Sequence, residues 1–198
     1  MKNPPDPVYM SEWEIELVRL LISRSAAKTY LEVGSASGGS LYAFGTALPA
    51  GSTLITVDRR IQTPVLYKQI AATLANTSQT LRGLGYEVVE IIGDSHDKGV
   101  VDRVAASIPG GSLDVLFIDG DHSREGATAD LENYGSLVRS GGVIIFHDCG
   151  LQNWKYHESK RTLKASMNAL NELFNEEARS RPRFLMLQEF SGFGFVWV

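Results

Sequence analysis

Four side chains in two short stretches carry the densest chemistry of the chain. Asp119 and His122 lie in Phe117–Ser123 (FIDGDHS), and His147 and Asp148 close Gly141–Asp148 (GGVIIFHD). Both stretches begin as apolar runs of strand type. If those strands are parallel neighbours, their C-terminal ends open on one crevice, and Asp119 meets Asp148 although they are 29 residues apart. Converging carboxylates repel unless one is protonated or a cation bridges them. His147 has two readings. As a third ligand, its imidazole would shift the preference from Mg²⁺ towards Mn²⁺, Fe²⁺, Co²⁺ or Zn²⁺. Alternatively it packs against the sheet edge, and Asp148 holds the cation with Asp119 and waters. Asp121 has three open roles: orienting His122, binding the cation, or favouring a helix N-terminus electrostatically.

A second constellation is the glycine turn Glu32–Ser40 (EVGSASGGS), which follows an apolar run and precedes a helical one. Such a turn needs glycine for positive φ and for close approach of a ligand. The helix N-terminus behind it offers free N–H groups to a carboxylate or phosphate. Asp58 ends the next apolar run, where doubly wound folds place an acid for ribose hydroxyls. The spacing is not G-x-G-x-x-G, since Gly34 is followed by Gly38 and Gly39, and no G-K-[ST] triplet is present. That argues against an NAD-dependent oxidoreductase and against a P-loop.

The elements that must position these residues alternate in type. Thr29–Val33, Thr53–Val57, Glu87–Ile92, Leu113–Ile118 and Val143–Phe146 read as buried parallel strands. Ser11 and Glu14 form a capping box for a first helix, lined by Trp13, Leu17, Val18 and Leu21. Further helices are expected over Ser40–Leu48, Leu66–Leu84, Val100–Ile108, Ser123–Val138 and Ser159–Ser180. Arg183–Phe190 and Phe193–Val198, joined by Ser191-Gly192, read as a closing antiparallel hairpin. The fold class is therefore α/β: a doubly wound, Rossmann-like, mostly parallel seven-stranded sheet with an antiparallel C-terminal strand.

Composition narrows the partners. The 198 residues are 43% hydrophobic and 21% charged, enough for a core and consistent with one domain, residues 1–198, with a short extension at 1–10. A net charge of −4 argues against nucleic acid held by phosphate neutralisation. No apolar run approaches the roughly 18 residues needed to span a bilayer, so no membrane association is expected. The start MKNPPDPVYM lacks the apolar segment of a secretory signal, and the single Cys149 rules out an internal disulfide framework. A cytoplasmic protein is expected.

The acid-x-Gly-x-x-x-Gly pattern of Glu32, Gly34 and Gly38 resembles the first motif of class I S-adenosylmethionine-dependent methyltransferases, whose seven-stranded sheet also ends in such a hairpin. LEVGSASGGS, LITVD, VEIIGD, DVLFIDGDHS and GGVIIFHD occur in the order of the small metal-dependent O-methyltransferases, the group that includes catechol and sugar or macrolide enzymes. The run from FIDGDHS to GGVIIFHD is most similar to a bacterial branch once called cephalosporin hydroxylases. The resemblance covers residues 11–198 and implies roles. Glu32, Gly34 and Gly38 would shape the loop around the methionine portion of S-adenosylmethionine, with Ser40 near its carboxylate. Asp58 would hold the ribose, and Asp94 with Ser95 would sit by the adenine. An alternative for Asp94 is capping the next helix.

Asp119 and Asp148, with or without His147, would hold a divalent cation such as Mg²⁺ or Mn²⁺, and Asp119 would also border the cofactor. The cation would lower the pKa of an acceptor hydroxyl, and His122 would act as general base. The expected partner is a small molecule bearing a hydroxyl, a sugar or a phenolic metabolite. A binding module of the same fold without catalysis is the rival from another class. Met1–Met10 would cap the site or join a homodimer interface. Trp154, Tyr156 and His157 fall where relatives contact substrate, Cys149 reads as buried, and His96 has no partner by spacing. Of Arg59 and Arg60, at least one is expected to stay solvated, as is the basic stretch Lys155–Lys164.

Overall fold

The computed structural model describes residues 10–59, 66–149, 170–177, 179, 183–187 and 192–198. Its elements in chain order are α1 (Glu12–Arg24), β1 (Thr29–Val33), α2 (Gly39–Gly45), β2 (Thr53–Asp58), α3 (Leu66–Gly83), β3 (Glu87–Ile92), α4 (Lys98–Ser107), β4 (Leu113–Ile118), α5 (Arg124–Tyr134), β5 (Val138–His147), β6 (Arg183–Leu187) and β7 (Phe193–Trp197). Residues 170–177 are helical as well. The strands form one seven-stranded sheet in the order β3-β2-β1-β4-β5-β7-β6. β1 to β5 run parallel, and β7 inserts antiparallel between β5 and β6. The expected hairpin is thus present at its strands, while Gln188–Ser191 lies outside the described residues.

Two apolar layers cover the sheet. On one face Leu31, Val33, Ile55, Leu116, Ile118, Ile144 and Phe146 pack with Val100 and Val104 of α4, Tyr134 of α5, and Phe174. On the other, Tyr30, Leu54, Phe117, Ile145, Phe193 and Phe195 pack with Val18 and Ile22 of α1, Leu41 and Phe44 of α2, and Leu81 of α3. Successive side chains of a strand point to opposite faces, so the register extends past the strand ends. Val33 pairs with Ile118, and Ile118 with Phe146. The next positions, Asp119 and His147, therefore lie side by side on the α1/α2 face. That juxtaposition follows from ladder register alone.

Boundaries differ from expectation at two places that bear on the site. Helical spacing predicts α5 as far as Val138, but the helix ends at Tyr134 and a 3₁₀ turn, Gly135–Leu137, follows. Val138 pairs with Leu113 in the sheet, and a register shift lies before Val115 meets Val143. Leu131, Tyr134, Leu137 and Val138 have helical spacing, yet a ladder pairing claims Val138. The second change is at α4, which starts at Lys98 with Asp97 as its cap, accepting from Gly99 and Val100 N–H groups. Asp94 therefore does not cap this helix. The capping box of α1 is formed as expected, with Ser11 and Glu14 bonded reciprocally. Among the described residues no helix is long and apolar enough to cross a membrane.

Candidate active site

The crevice at the C-terminal ends of β1, β4 and β5 gathers the residues of both sequence constellations. Gly34 ends β1 with φ +89°, and its N–H donates to Val57 O across the sheet. Asp119 N–H donates to Val33 O, which draws the two turns together. A Cβ on Gly34 would run into the Asp119 carbonyl and lie 2.6 Å from Gly120 Cα. The glycine is therefore required by backbone-to-backbone approach as well as by φ. Gly38, at φ +86°, caps α2, and a Cβ there would sit 2.8 Å from the Leu74 side chain of α3.

Glu32 is wholly buried behind this turn, not on its open side. It accepts from Tyr30 Oη at 2.7 Å and from Ser40 Oγ at 2.6 Å. Burial pushes its carboxyl up to about 8, against the two hydrogen bonds, which favour the ionised form. The structure thus gives Glu32 the task of fixing Ser40 at the start of α2. A linkage prediction follows. The folded protein holds this proton while the unfolded chain, at about 4.5, does not. Stability should therefore fall as pH rises from about 4.5 to about 8, by up to about 1.4 kcal/mol per pH unit from this group. Denaturant titrations across that window should show a flatter fall for Glu32→Gln. An equal slope in both proteins would contradict the assignment.

On the open side, Asp58 Oδ2 accepts from Ala36 N–H at 2.9 Å, which ties the acid at the end of β2 to the glycine turn. Asp94, half exposed at the end of β3, faces Arg59 Nη1 at 3.7 Å and accepts from His96 N–H at 3.0 Å. Arg59 is half exposed beside this acid, and Arg60 lies outside the described residues. Asp58 and Asp94 line one rim of the crevice, separated by the β2–β3 pairing of Asp58 with Ile92. Ser95 is held through its carbonyl, which accepts from Tyr134 Oη at 2.7 Å and Asn133 Nδ2 at 3.2 Å.

The opposite rim is a chain of alternating charge. His122 bridges two acids, with Nε2 3.2 Å from Asp119 Oδ1 and Nδ1 3.1 Å from Asp148 Oδ2. His147 Nδ1 is 2.9 Å from the same Asp119 oxygen and 3.6 Å from Asp148 Oδ1. Asp148 adopts φ +57°, a left-handed conformation that aspartate tolerates better than most residues. Backbone strain of this kind collects at functional sites. Burial opposes charge on Asp119, yet His147 and His122 hold its carboxyl below the usual carboxylate range. The hydrogen bond to the Asp119 carboxylate raises His122 despite its partial burial. Burial works against charge on His147 too, but Asp119, Asp148 and, from α1, Glu14 carry its imidazole up to about 9.

Asp119, His122 and Asp148 each offer a ligand atom, all within 4.8 Å of one another. Two carboxylates and an imidazole suit a divalent cation of the borderline class. His147 stands beside that trio. Its Nδ1 serves Asp119, and its ring lies 4.8 Å from the Phe193 ring. Its Nε2 is buried without a hydrogen-bond partner among the described residues. His147 contacts both acids and packs against Phe193 of β7, while the trio that could hold a cation contains His122 in the place the sequence reading gave to His147. Asp121 accepts from Ser123 N–H at 2.9 Å, just before the start of α5. Cys149 is fully buried, as expected, and burial pushes its thiol up.

Two participants were not legible in the sequence. Glu14 is wholly buried and has one oxygen without a partner among the described residues, although its spacing showed only a cap. Asp130 is wholly buried on α5, and His96 contacts it. Trp154, Tyr156, His157, Arg60, Met1–Tyr9 and Lys155–Lys164 lie outside the described residues.

Residues 31–149 match the family described as "Methyltransferase domain". Uncharacterized protein R132 of Acanthamoeba polyphaga mimivirus is 28% identical over 131 residues, 64% of this chain and 53% of that protein. The chain thus spans about half the length of this curated relative. Among solved structures, the O-methyltransferase TomG of Streptomyces achromogenes, in complex with SAM, superposes with TM-score 0.66 at 20% identity, covering 96% of this chain and 81% of that one. SAH-bound methyltransferase PaMTH1 of Podospora anserina gives TM-score 0.69 at 19% identity, covering 96% and 80%. At such identities the likeness is one of fold. With the glycine turn, the strand order and the family match in agreement, the chain belongs to the methyltransferase-domain family and has the fold of the class I S-adenosylmethionine-dependent methyltransferases.

Proposed function

We propose that this protein is an S-adenosylmethionine-dependent O-methyltransferase that acts on a hydroxyl of a small molecule, with a divalent cation held by Asp119, His122 and Asp148. The observation that carries the reading is the convergence of these three side chains beside the Gly34 turn. When bound, the cofactor supplies an electrophilic methyl group and the cation supplies Lewis acidity towards the acceptor oxygen. Asp58 and Asp94 orient the ribose and adenine. Ser40, fixed by Glu32, meets the methionine carboxylate at the start of α2. His147 holds Asp119 through Nδ1 and keeps that carboxylate ionised. The crevice walls align the acceptor oxygen and keep water out.

A second reading of the proton step rests on His122, whose ring bridges Asp119 and Asp148 with both nitrogens. In it the ring is the base, and the acceptor hydroxyl would pass its proton to the imidazole. Its raised pKa makes it a stronger base but lowers the neutral fraction near pH 7. The two readings differ in the effect of chelation. Transfer of radiolabelled methyl from S-adenosylmethionine to catechol and to a panel of sugars should be measured before and after chelation. Loss of at least about tenfold on chelation, restored by Mn²⁺, is expected. Undiminished transfer would contradict the cation and leave His122 as base. A sugar or phenol is the acceptor class in this proposal, and a cytoplasmic location fits such a substrate.

Tyr156 and Lys160 stand at the Tyr-x-x-x-Lys spacing with which some NAD-dependent oxidoreductases deliver protons. That pair lies outside the described residues and does not separate the two enzyme classes. The glycine spacing at Gly34 and Gly38 does.

A further inference from the structure

His96 joins the turn after β3 to α5, two parts of the crevice rim that are far apart in the chain. Its Nε2 lies 3.2 Å from Asp130 Oδ1 on α5 and 3.2 Å from the Gly126 carbonyl. Two acceptors at one nitrogen fix the tautomer, so Nε2 carries the proton. Its Nδ1 faces Asp94 Oδ1 at 3.7 Å, and its backbone N–H donates to that same oxygen at 3.0 Å. Asp130 is wholly buried, burial raises its carboxyl against a hydrogen bond from the Ser95 side chain, and His96 is within ion-pair distance. A buried carboxyl group left without a polar neighbour costs free energy, and the imidazole N–H is such a neighbour. The charged groups that face this ring are Asp94 after β3, Asp130 on α5, Asp121 after β4, and Arg59 after β2, which pairs with Asp94.

We propose that His96 is a positioning residue for the adenine end of the cofactor site. Anchored on Asp130 and the Gly126 carbonyl, it holds the Asp94 loop against α5 and fixes the direction of the Asp94 carboxylate. Tyr134 and Asn133 hold the intervening Ser95 carbonyl from the same helix, so the loop is fastened at two adjacent residues. A carboxylate held in this way accepts a hydrogen bond from the exocyclic amine of adenine and rejects the oxo group of hypoxanthine. This inference rests on the methyltransferase reading above and adds a determinant of base selectivity to it.

The test is calorimetric titration of the full chain with S-adenosylhomocysteine and with S-inosylhomocysteine, which differ in the exocyclic group and in the proton on the adjacent N1. Wild type should prefer the adenosine compound by about tenfold or more, the worth of one hydrogen bond to a charged group. In His96→Ala that preference should shrink several-fold, and His96→Gln, whose amide can donate to Asp130, should recover part of it. A role confined to structure would weaken both ligands alike and leave the ratio unchanged. If His96→Ala does not fold by circular dichroism, Asp130→Asn and His96→Gln carry the same comparison. An unchanged ratio in the folded variants overturns the inference and leaves the methyltransferase reading standing. Equal binding of both ligands by wild type removes the role of Asp94 and the inference with it. Failure of wild type to bind either ligand overturns both.

Discussion

Asp119→Asn should lose at least about a hundredfold in methyl transfer at saturating S-adenosylmethionine while its affinity for that cofactor changes little. The substitution keeps the shape and removes the charge. In the wild type this carboxylate is shared by His122 at 3.2 Å and His147 at 2.9 Å, and it is one of the three candidate ligands. Amide oxygen is a poor replacement for a carboxylate at a divalent cation, and it no longer raises the basicity of His122. Both the cation and the base readings therefore predict the loss. The fold should survive, since the amide can still accept from His147 and the imidazole can relax to its neutral form. A cost of about 1–3 kcal/mol is expected for the lost charge-assisted bonds. Cofactor titration and steady-state transfer measured on the same preparation separate the outcomes. Should affinity fall in step with activity, Asp119 would belong to the cofactor pocket instead.

The second large effect is on stability. Gly34→Ala should lose roughly 2–6 kcal/mol, combining left-handed strain with overpacking, each about 1–3 kcal/mol. The new Cβ would press on the Asp119 carbonyl and approach Gly120 Cα to 2.6 Å, and neither is the flexible end of a side chain. Relief requires β1 and β4 to part at their C-terminal ends, where Asp119 N–H donates to Val33 O. Denaturant unfolding of Gly34→Ala beside Gly51→Ala measures the close approach. Gly51 has similar φ, +86°, but nothing within 4 Å of its Cβ position. The difference between the two variants isolates the contact from the strain. Equal losses would mean that φ alone makes glycine necessary at the turn.

Much of this arrangement is legible in the amino-acid sequence. Strand–helix alternation and the capping box at Ser11 and Glu14 depend on local periodicity, and those elements form where they are expected. The meeting of Asp119 with Asp148 is legible too, because parallel neighbours deliver their ends to one crevice. What local pattern does not encode is competition between elements. Val138 has helical spacing with Tyr134, but its pairing with Leu113 moves the start of β5 five residues towards the N-terminus of the expected strand. Asp94 and Asp97 are equally good caps by type, and only the geometry of the turn after β3 selects Asp97. His96 shows no partner by spacing because Asp130 is 34 residues away on another element. The order of the histidines is similarly hidden. Register puts His147 beside Asp119, whereas His122 reaches the space between the acids from a loop, where no periodicity applies.

The most direct test of the methyltransferase reading is calorimetric titration of the metal-stripped protein with S-adenosylmethionine and with NAD, repeated with Mg²⁺ and Mn²⁺. S-adenosylmethionine should bind in the micromolar range, and NAD should give no heat. A separate cation heat should appear, stronger for Mn²⁺ than for Mg²⁺ because His122 is in the ligand set, and it should disappear in Asp148→Ala. Absence of S-adenosylmethionine binding under every metal condition, or binding of NAD in its place, would contradict the reading.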